Sequence, residues 1–385
     1  MQRVAVRERA DWQAQAHRLG FKFYIIDGQS YWDESAYYRF SLRQIEQDIE
    51  APTEELHAMC LALVDKAVND EAMLTQLRIP DAYWDYIRNS WLNGDRHLYG
   101  RMDFAYDGHG PAKFYEYNAD TPTSLYESAF FQWVWLEQAM AEGLIPQGCD
   151  QYNSIQEHLV AAFTELALPN PLYFACCKGT EEDRGTVQYL EDCAAQAGLE
   201  TKFIYIDDIG ISPDGRFTDL DDYVIPALFK LYPWEWLMTE EYGPAIPNSG
   251  TQFLEAPWKA ILSNKGILPL LWDMYPNHPN LLPAYFEDST PTPRSGKWVR
   301  KPLLSREGSN IAIVRDGQAL ERVDGPYDDS GYIWQAFQPL PSFGSSYTLV
   351  GSWLVADRAV GIGIREDNSL ITKDSSHFHP HIILD

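Results

Sequence analysis

Apolar positions in the first hundred residues recur mainly at helical spacing. Residues 7–20 predict a helix that leads into a short strand at 21–26. Residues 40–75 carry apolar side chains three or four positions apart and acidic side chains on the other face, which is typical of an amphipathic helix. Another helical pattern follows Asp81. We therefore expect a largely helical start to the chain.

The pattern changes between residues 101 and 118. Two short alternating runs, 101–105 and 112–118, flank the segment Asp107-Gly108-His109-Gly110. An Asp-Gly pair between alternating runs is typical of a β-hairpin turn. The sequence therefore predicts two antiparallel strands here, followed by a helix over 124–142.

The middle of the chain alternates strand and helix patterns. Residues 169–177 and 202–206 predict strands on either side of a helix at 181–197. This order favours a parallel, Rossmann-like subdomain over about residues 165–225. No glycine-rich turn follows the first strand, so the segment lacks a dinucleotide-binding fingerprint. Further strand and helix pieces are expected at 219–231 and 252–264.

From residue 296 onward, short β-rich runs dominate. Asp357-Arg358 is a candidate hairpin turn, and the Pro/Ser/Thr-rich start of the segment 287–310 predicts a mobile lid. No internal repeat or long linker interrupts the chain. We therefore predict one unit over residues 1–385, of mixed α/β (α+β) class. The expected strands cover residues 298–302, 310–314, 333–336, 347–356 and 359–365.

Charge and composition narrow the possible functions. The 30 basic and 56 acidic residues give a formal charge of −26, which disfavours nucleic-acid binding because phosphate contacts need Lys and Arg. An acidic field attracts cations such as magnesium or polyamines, although acidity also simply aids solubility. The five cysteines suit no disulfide framework. No signal peptide or membrane span is recognisable, so we expect a cytoplasmic protein without a membrane partner.

The hairpin at 101–118 carries the most informative chemistry. On a strand, Arg101 and Asp103 share one face, and Glu116 and Asn118 share one face. Side by side, the two pairs would present two carboxylates and an amide oxygen, which are ligands suited to magnesium. The neighbouring arginine would stabilise charge on a transferring phosphoryl group. The alternative is an exposed hairpin with ordinary salt bridges.

A second set of candidates is basic. Lys265 precedes an apolar helix, and Lys301 lies in a strand-like run that is followed by the polar turn 306–310. Lysines near a flexible turn containing Gly308 suit a phosphate-binding lid. No P-loop or kinase glycine motif is present. The alternative for either lysine is a solvent-facing position on a strand.

Further candidate residues concern the substrates. Arg365 ends an alternating run, where it would bind a carboxylate or else pair with neighbouring acidic residues on the surface. Glu235 lies among aromatic residues in the segment 230–236, where it would bind an ammonium group or else sit at the rim of an aromatic core. The alternate histidines at 377, 379 and 381 predict a C-terminal strand without a catalytic role.

Taken in order, several short motifs resemble the glutathionylspermidine synthase-like family. The most specific is Tyr115-Glu116-Tyr117-Asn118-Ala119-Asp120-Thr121-Pro122-Thr123, which resembles the family's E-Y-N-A-D-[ST]-x-[ST] element. The resemblance covers essentially the whole chain. The other matching elements are Gly100–Asp103, Asn264-Lys265, Val299–Pro302, Gly308–Ile311, Tyr332–Gln335 and Ile364–Ile371.

The resemblance implies a role for each candidate. It implies that Asp103, Glu116 and Asn118 hold magnesium and that Arg101 stabilises the transition state. It also matches Arg365 to a carboxylate-binding arginine. Thr121 and Thr123 correspond to serines that contact a peptide substrate, but the threonines and the intervening Pro122 put peptide recognition in question. The implied ATP-binding residues are Arg101, Met102, Asp103, Lys265, Lys301, Gly308, Gln335, Leu370, Ile371 and Thr372.

The implied fold is an ATP-grasp fold of permuted topology, since the carboxylate hairpin precedes the lysines. The implied activity is an ATP- and magnesium-dependent ligase that joins a carboxylate to an amine through an acyl phosphate. Bifunctional family members carry an N-terminal amidase domain. This chain begins at the synthetase, so we expect no product hydrolysis. The alternatives are a degenerate module that binds nucleotide or polyamine without ligase activity, and a kinase-like phosphotransferase.

Overall fold

The computed structural model describes residues 1–26, 28–288, 295–306, 308–327, 330–373 and 376–385. Its strands are β1 (Gln2–Ala5), β2 (Ile25–Ile26), β3 (Gln29–Ser30), β4 (Ala36–Phe40), β5 (Tyr99–Ala105), β6 (Lys113–Asn118), β7 (Leu172–Cys176), β8 (Thr201–Tyr205), β9 (Gly210–Ile211), β10 (Phe217–Thr218), β11 (Ala227–Leu231), β12 (Gln252–Leu254), β13 (Ala284–Phe286), β14 (Lys297–Pro302), β15 (Ala312–Arg315), β16 (Gln318–Arg322), β17 (Tyr332–Ala336), β18 (Ser342–Phe343), β19 (Ser346–Val355), β20 (Arg358–Asp367), β21 (His377–His379) and β22 (His381–Ile383).

The helices of the described residues lie in the first three quarters of the chain. The α-helices are α1 (Trp12–Arg18), α2 (Ala51–Ala67), α3 (Glu71–Gln76), α4 (Trp84–Leu92), α5 (Gln132–Ala141), α6 (Ile155–Glu165), α7 (Glu181–Gln196), α8 (Trp234–Leu237), α9 (Lys259–Leu262) and α10 (Ile267–Met274). Two π-helical turns, Gln44–Glu50 and Glu127–Phe131, lead directly into α2 and α5, and 3₁₀ turns cover Asp81–Tyr83, Ile206–Asp208 and Gly243–Asn248.

A large antiparallel sheet forms the centre of the molecule. Its strand order is β21-β20-β19-β5-β6, and the short strand β18 also pairs with β19. Strand β5 lies between β19 and β6, so every one of its residues is buried. The hairpin turn predicted at Asp357-Arg358 is present one residue earlier, at 356–357, where it joins β19 to β20, and Arg358 is the first residue of β20. This sheet therefore holds the hairpin β5–β6 in a fixed position.

Two further sheets flank the central one. The sheet β13-β17-β14-β15-β16 is antiparallel and carries Lys301 and Gln335. The sheet β12-β11-β7-β8 is parallel, and α7 connects β7 to β8. The predicted β-α-β unit is therefore present. Strands β11 and β12 extend this sheet beyond residue 225, and the subdomain boundaries stay a prediction.

The core lies on the face of the hairpin opposite to its polar side chains. Met102 and Phe104 of β5 belong to the same buried cluster as Leu56 and Leu63 of α2. Burying each such side chain stabilises the fold by roughly 2 kcal/mol. The hairpin is therefore anchored by one face, which leaves the other available for polar chemistry.

Several predicted elements differ from the structure. The first helix begins at Trp12, because Asp11 adopts a left-handed backbone conformation with φ of 57° that interrupts a helix before it. The strand expected at 21–26 shrinks to β2, since Phe21 and Phe23 pack in an aromatic cluster instead. Helix α6 was not predicted, although its buried Ile155, Leu159 and Phe163 follow a helical spacing.

Other predictions concern loops, cysteines and the C-terminus. The hairpin turn expected at 107–110 is part of a longer connection, 106–112. Within the predicted lid 287–310, residues 289–294 and 307 lie outside the described residues, and 297–302 form β14. All five cysteines are free, and the three C-terminal histidines lie on β21 and β22. No helix in the described ranges is long and apolar enough to cross a membrane.

Candidate active site

The register of the hairpin brings its four polar residues together. Asp103 lies opposite Glu116, and Arg101 lies opposite Asn118. Arg101 donates to both carboxylate oxygens of Asp103, with Nε–Oδ1 of 2.7 Å and Nη2–Oδ2 of 3.2 Å. The amide Nδ2 of Asn118 lies 3.2 Å from Asp103 Oδ2. The sequence placed these four side chains on one patch, and the structure has them there.

A β-bulge adds an aromatic residue to this patch. Phe104 pairs with Phe114, but Asp103 pairs with Glu116, so Tyr115 is an extra residue on β6. Because a bulge shifts the alternation of side chains, both Tyr115 and Glu116 line the cleft. Simple alternation along β6 would have placed Tyr115 on the core face.

A glycine on the neighbouring strand gives Arg101 its space. Gly351 of β19 lies opposite Asp103. A Cβ at position 351 would lie 2.8 Å from Arg101 Cδ and 3.3 Å from Asp103 Oδ1. Carbon atoms do not approach this closely without one of them moving. Glycine is therefore required for the Arg101–Asp103 pair as it stands.

Three basic side chains approach the carboxylates. Lys265 Nζ lies 3.2 Å from Glu116 Oε2 and donates to the Ser305 carbonyl at 2.7 Å. Arg365 Nη2 lies 3.1 Å from Asp103 Oδ2. Lys301 Nζ donates to the Tyr115 carbonyl at 3.1 Å. Together with Arg101, these residues surround the two acids with positive charge.

The crowded charges shift pKa values in opposite directions. Burial alone would raise the pKa of Glu116, but Lys265 and Lys301 outweigh it and lower that pKa to about 2. Burial lowers the pKa of Lys301 to about 8, and Glu116 offsets only part of this effect. The carboxylate therefore stays ionised at neutral pH, where a metal ion or a cationic group is able to bind it.

These side chains line one large cleft. It contains about 1510 Å³ of space free of protein atoms, part of it open to solvent. Its lining residues come from all three large sheets, among them Arg101 of β5, Val299 of β14 and Leu231 of β11. The candidates that line it are Arg101, Asp103, Glu116, Asn118, Thr121, Thr123, Lys265, Lys301, Gly308, Gln335, Arg365, Leu370, Ile371 and Thr372.

Apolar side chains also line the cleft, among them Val299, Ile313 and Leu349. Gly308 has φ of +71°, and a Cβ there would lie 2.7 Å from both Ile371 and the Thr372 carbonyl. Residues 371 and 372, which are distant from 308 in the sequence, are thus in contact with it. Apolar and charged side chains in one cleft suit a nucleotide, which has both a base and phosphates.

Two candidate residues do not line the main cleft. Met102 is fully buried in the core beneath the hairpin, because it alternates with Arg101 and Asp103. Glu235 lies in a small adjoining cavity, where its Oε1 accepts from Arg306 Nη2 at 2.9 Å. The predicted ammonium-binding carboxylate is therefore already part of an ion pair.

Some cleft residues were missed by sequence reasoning. Arg306 connects the adjoining cavity to the cleft, because its Nη1 also donates to Thr121 Oγ1 at 2.5 Å. Asp183, from the first turn of α7, and Tyr232 and Trp236 line the side formed by the parallel sheet. The turn 306–310 was recognised as polar, but nothing local in the sequence indicated which side chain Arg306 would meet.

Comparisons with known proteins agree with this architecture. A family model described as "Glutathionylspermidine synthase preATP-grasp" matches residues 3–384. A protein of Haemophilus influenzae named "Putative acid--amine ligase" is 41% identical, with 97% of each chain covered. The "Bifunctional glutathionylspermidine synthetase/amidase" of Escherichia coli is 27% identical, over 97% of this chain and 63% of its own length.

More distant similarities concern a longer enzyme and a solved structure. The "Trypanothione synthetase" of Crithidia fasciculata is 27% identical, and the match covers 84% of this chain and 53% of that enzyme. A glutathione synthetase-like effector from Globodera pallida superposes with a TM-score of 0.52 at 10% identity, over 90% of this chain and 89% of its own. The latter similarity shows the fold alone, and it confirms the predicted mixed α/β fold of ATP-grasp type.

The motifs at 100–123 and in the C-terminal third predicted one family. The family model covers nearly every residue, and the named relatives are ligases. The predicted resemblance is therefore confirmed. The chain belongs to the glutathionylspermidine synthase family.

Proposed function

We propose that this protein is an ATP- and Mg²⁺-dependent ligase that forms an amide bond between a carboxylate and an amine. One observation carries the proposal: Asp103 and Glu116 face each other in the same cleft as Lys265, Lys301 and Arg365. The combination suits phosphoryl transfer to a carboxylate, because the reaction needs a metal site next to positive charge.

The charge of the cleft supports ATP as the first substrate. Among the described residues that line it, five are basic and three are acidic, in a chain with a formal charge of −26. A local excess of Lys and Arg within an acidic protein suits a triphosphate. We assign the phosphates to Lys265 and Lys301, and the base to apolar side chains of the cleft such as Ile371.

The carboxylate patch has the donors that Mg²⁺ requires. Asp103 and Glu116 supply carboxylate oxygens, and a half-turn of the Asn118 amide presents its oxygen in place of Nδ2. Hard oxygen ligands of this kind suit magnesium better than zinc. When bound, Mg²⁺ would neutralise charge on the ATP phosphates. We assign these three residues as its ligands.

The proposed reaction has two steps. An oxygen of the substrate carboxylate attacks the γ-phosphorus of ATP, and ADP leaves. The amine nitrogen then attacks the acyl carbon of the acyl phosphate, loses a proton, and inorganic phosphate leaves. Arg101, Lys265 and Lys301 would stabilise negative charge that develops in the first step, which is worth several kcal/mol. Arg365 would hold the carboxylate in place.

The second step requires that the attacking amine lose a proton, and two carboxylates near the cleft are candidates for the base. Asp120 is fully buried, accepts from the Trp234 N–H at 2.8 Å and pairs with Lys230 at 2.8 Å. Glu235 pairs with Arg306. Both carboxylates are engaged, so we assign neither as a base. If the amine binds in its deprotonated form, no base in the protein is needed for it to attack.

The finer substrate proposal is a glutathione-like peptide and a polyamine. The names of the 27% identical relatives support it, since they specify glutathionylspermidine and trypanothione. The acidic charge of the chain favours a cationic amine. Thr121 and Thr123 lie in the cleft, where they would contact the peptide. A cytoplasmic location would suit such substrates.

The test is ADP release with Mg²⁺, screened against carboxylates and amines singly and in pairs, with mass spectrometry of the products. We expect a product lighter by one water than the sum of its two substrates. Glu116→Gln and Lys301→Met should abolish it. Lys66→Met, at an exposed position on α2, is the matched control and should leave it intact.

Other outcomes separate the alternatives. Phosphate transfer to a hydroxyl compound without an amine would identify a kinase-like enzyme instead. Nucleotide binding without turnover with any pair would favour a module that has lost ligase activity. Failure to bind ATP at all would contradict the assignment of the site.

A further inference from the structure

A cluster of metal-binding side chains lies outside the cleft. His57 belongs to α2, His97 precedes β5, and Asp357 lies in the turn between β19 and β20. The Nε2 atoms of His57 and His97 lie 3.0 Å and 3.1 Å from the same oxygen, Asp357 Oδ1. All three potential ligand atoms lie within 4.8 Å of one another. Two imidazoles from distant segments thus converge on one carboxylate.

We propose that His57, His97 and Asp357 form a second metal site, which takes a zinc-like divalent transition-metal ion. Two imidazole nitrogens and one carboxylate oxygen form a common zinc ligand set, with a fourth position for water. Nitrogen donors make magnesium a poor occupant. This site is therefore chemically distinct from the oxygen ligands of the cleft.

The surroundings support binding through Nε2. Nδ1 of His57 forms a hydrogen bond with the Tyr117 hydroxyl at 3.1 Å. An outer partner of this kind fixes the orientation of a ligating histidine, and with Nδ1 as the donor the lone pair lies on Nε2.

The geometry requires only a small adjustment. In a tetrahedral zinc site, bond lengths of about 2.1 Å place neighbouring ligand atoms about 3.4 Å apart. The two His–Asp distances are already close to this value. The Asp357 side chain is 69% exposed at a hairpin turn, so it is able to move and leaves room for water. The nearby Lys259 is neutralised by Glu255, 2.9 Å away.

A bound ion would link the exposed turn that contains Asp357 to the hairpin β5–β6. The ligands come from three segments up to 300 residues apart. Tyr117, which contacts His57, lies between Glu116 and Asn118 on β6. Metal occupancy should therefore stabilise the region that supports the cleft, and this inference does not depend on the proposed ligase activity.

The test measures metal binding to the whole chain in excess Mg²⁺, which occupies the oxygen ligands of the cleft. Zn²⁺ is titrated in competition with a chromophoric chelator, and Co²⁺ absorption reports the coordination geometry. We expect one tight equivalent, a four-coordinate Co²⁺ spectrum without thiolate charge-transfer bands, and a higher melting temperature with Zn²⁺. The missing thiolate bands separate this site from binding by cysteines.

Variants decide between a metal site and a hydrogen-bonded cluster. Asp357→Asn and His97→Gln should each weaken the tight equivalent at least tenfold and remove the zinc-dependent melting shift. His109→Gln, at an exposed loop position, is the matched control and should bind as the parent does. Asp357 is exposed, so its variant should fold even if the His97 variant does not. Equal zinc binding by all variants, or none by the parent, would overturn the proposal.

Discussion

Two groups of lysines in this molecule look alike in the sequence but differ in their surroundings. Lys230 and Lys259 are fully buried and paired with Asp120 and Glu255 at 2.8 Å and 2.9 Å. Both lysines also donate to backbone carbonyls. In the cleft, by contrast, Lys301 donates to a single acceptor among the described residues, the Tyr115 carbonyl.

The carboxylate partners show the same difference. Asp120 accepts from a backbone N–H as well as from its lysine, and Glu255 accepts from two backbone N–H groups. Both partners of each pair are fully buried, so a ligand in solvent has no access to them. By contrast, the charged side chains around Glu116 lie close together in an open cleft, where they are able to bind a ligand. Lys301 thus differs from Lys230 and Lys259 in its partners. Lys265 pairs with Glu116 and donates to the Ser305 carbonyl, so it differs from the buried lysines only in lining the cleft.

The largest effect is expected when a saturated pair is broken. Lys230→Met leaves Asp120 as a buried, unpaired charge, which should lower the free energy of unfolding by about 3–5 kcal/mol. Urea denaturation measures this loss. Lys202→Met, at a partly exposed lysine, is the control and should leave it nearly unchanged. A small loss of unfolding free energy for Lys230→Met would show that the buried ion pair does not stabilise the fold, so that Lys230 would not differ from the cleft lysine in this respect.

A cleft lysine should behave in the opposite way. Lys301→Met should reduce ADP formation by about 100- to 1000-fold, because a preorganised charge near the phosphates is lost. Stability should change by less than about 1 kcal/mol, since methionine fills a similar space and no buried partner is left unpaired. Steady-state kinetics and urea denaturation of the same sample separate the two effects. Strong destabilisation would show that Lys301 is structural.

Glu127 differs from both groups, because it is fully buried and forms no ion pair with a basic side chain among the described residues. Burial raises its pKa to about 7, an effect that the Tyr31 hydroxyl offsets only in part. Since the folded pKa is above the unfolded one, the ionised carboxylate destabilises the fold increasingly as pH rises from about 4.5 to about 7.

Glu127→Gln should therefore stabilise the protein relative to the parent, by at most about 3 kcal/mol above pH 7 and by almost nothing below pH 4.5. The measurement is the difference in unfolding free energy between the two proteins across this pH range, which cancels other titrating groups. A difference that is constant with pH would mean that Glu127 does not titrate there.

The smallest expected effect comes from moving a cleft charge without removing it. Gly351→Ala should displace Arg101, since the added Cβ would lie 2.8 Å from Arg101 Cδ. We expect roughly a tenfold loss of activity, or about 1.4 kcal/mol, at nearly unchanged stability. Gly344→Ala is unsuitable as a control because its φ of +69° strains alanine. Ser342→Ala, at an exposed position on β18, is the better control.

Local rules predicted the parts of the fold that depend on near neighbours. Alternation with a period of two placed Asp103 and Glu116 on one face of the hairpin, and the structure has them opposite each other. The β-α-β order predicted the parallel strands β7 and β8. Local rules failed where packing overrides them, as for the aromatic residues at 21–26 and for the bulge at Tyr115.

Short motifs and side-chain periodicity are local properties, and they were sufficient to predict the family, the main elements and most of the residues around the cleft. Long-range packing was needed to show that Lys230 is buried in an ion pair while Lys301 borders the cleft. It also decided that Arg306 engages Glu235, and that His57 meets Asp357 across 300 residues. Such contacts depend on how segments that are far apart in the sequence pack together. The spacing of residues along the chain does not reveal this packing.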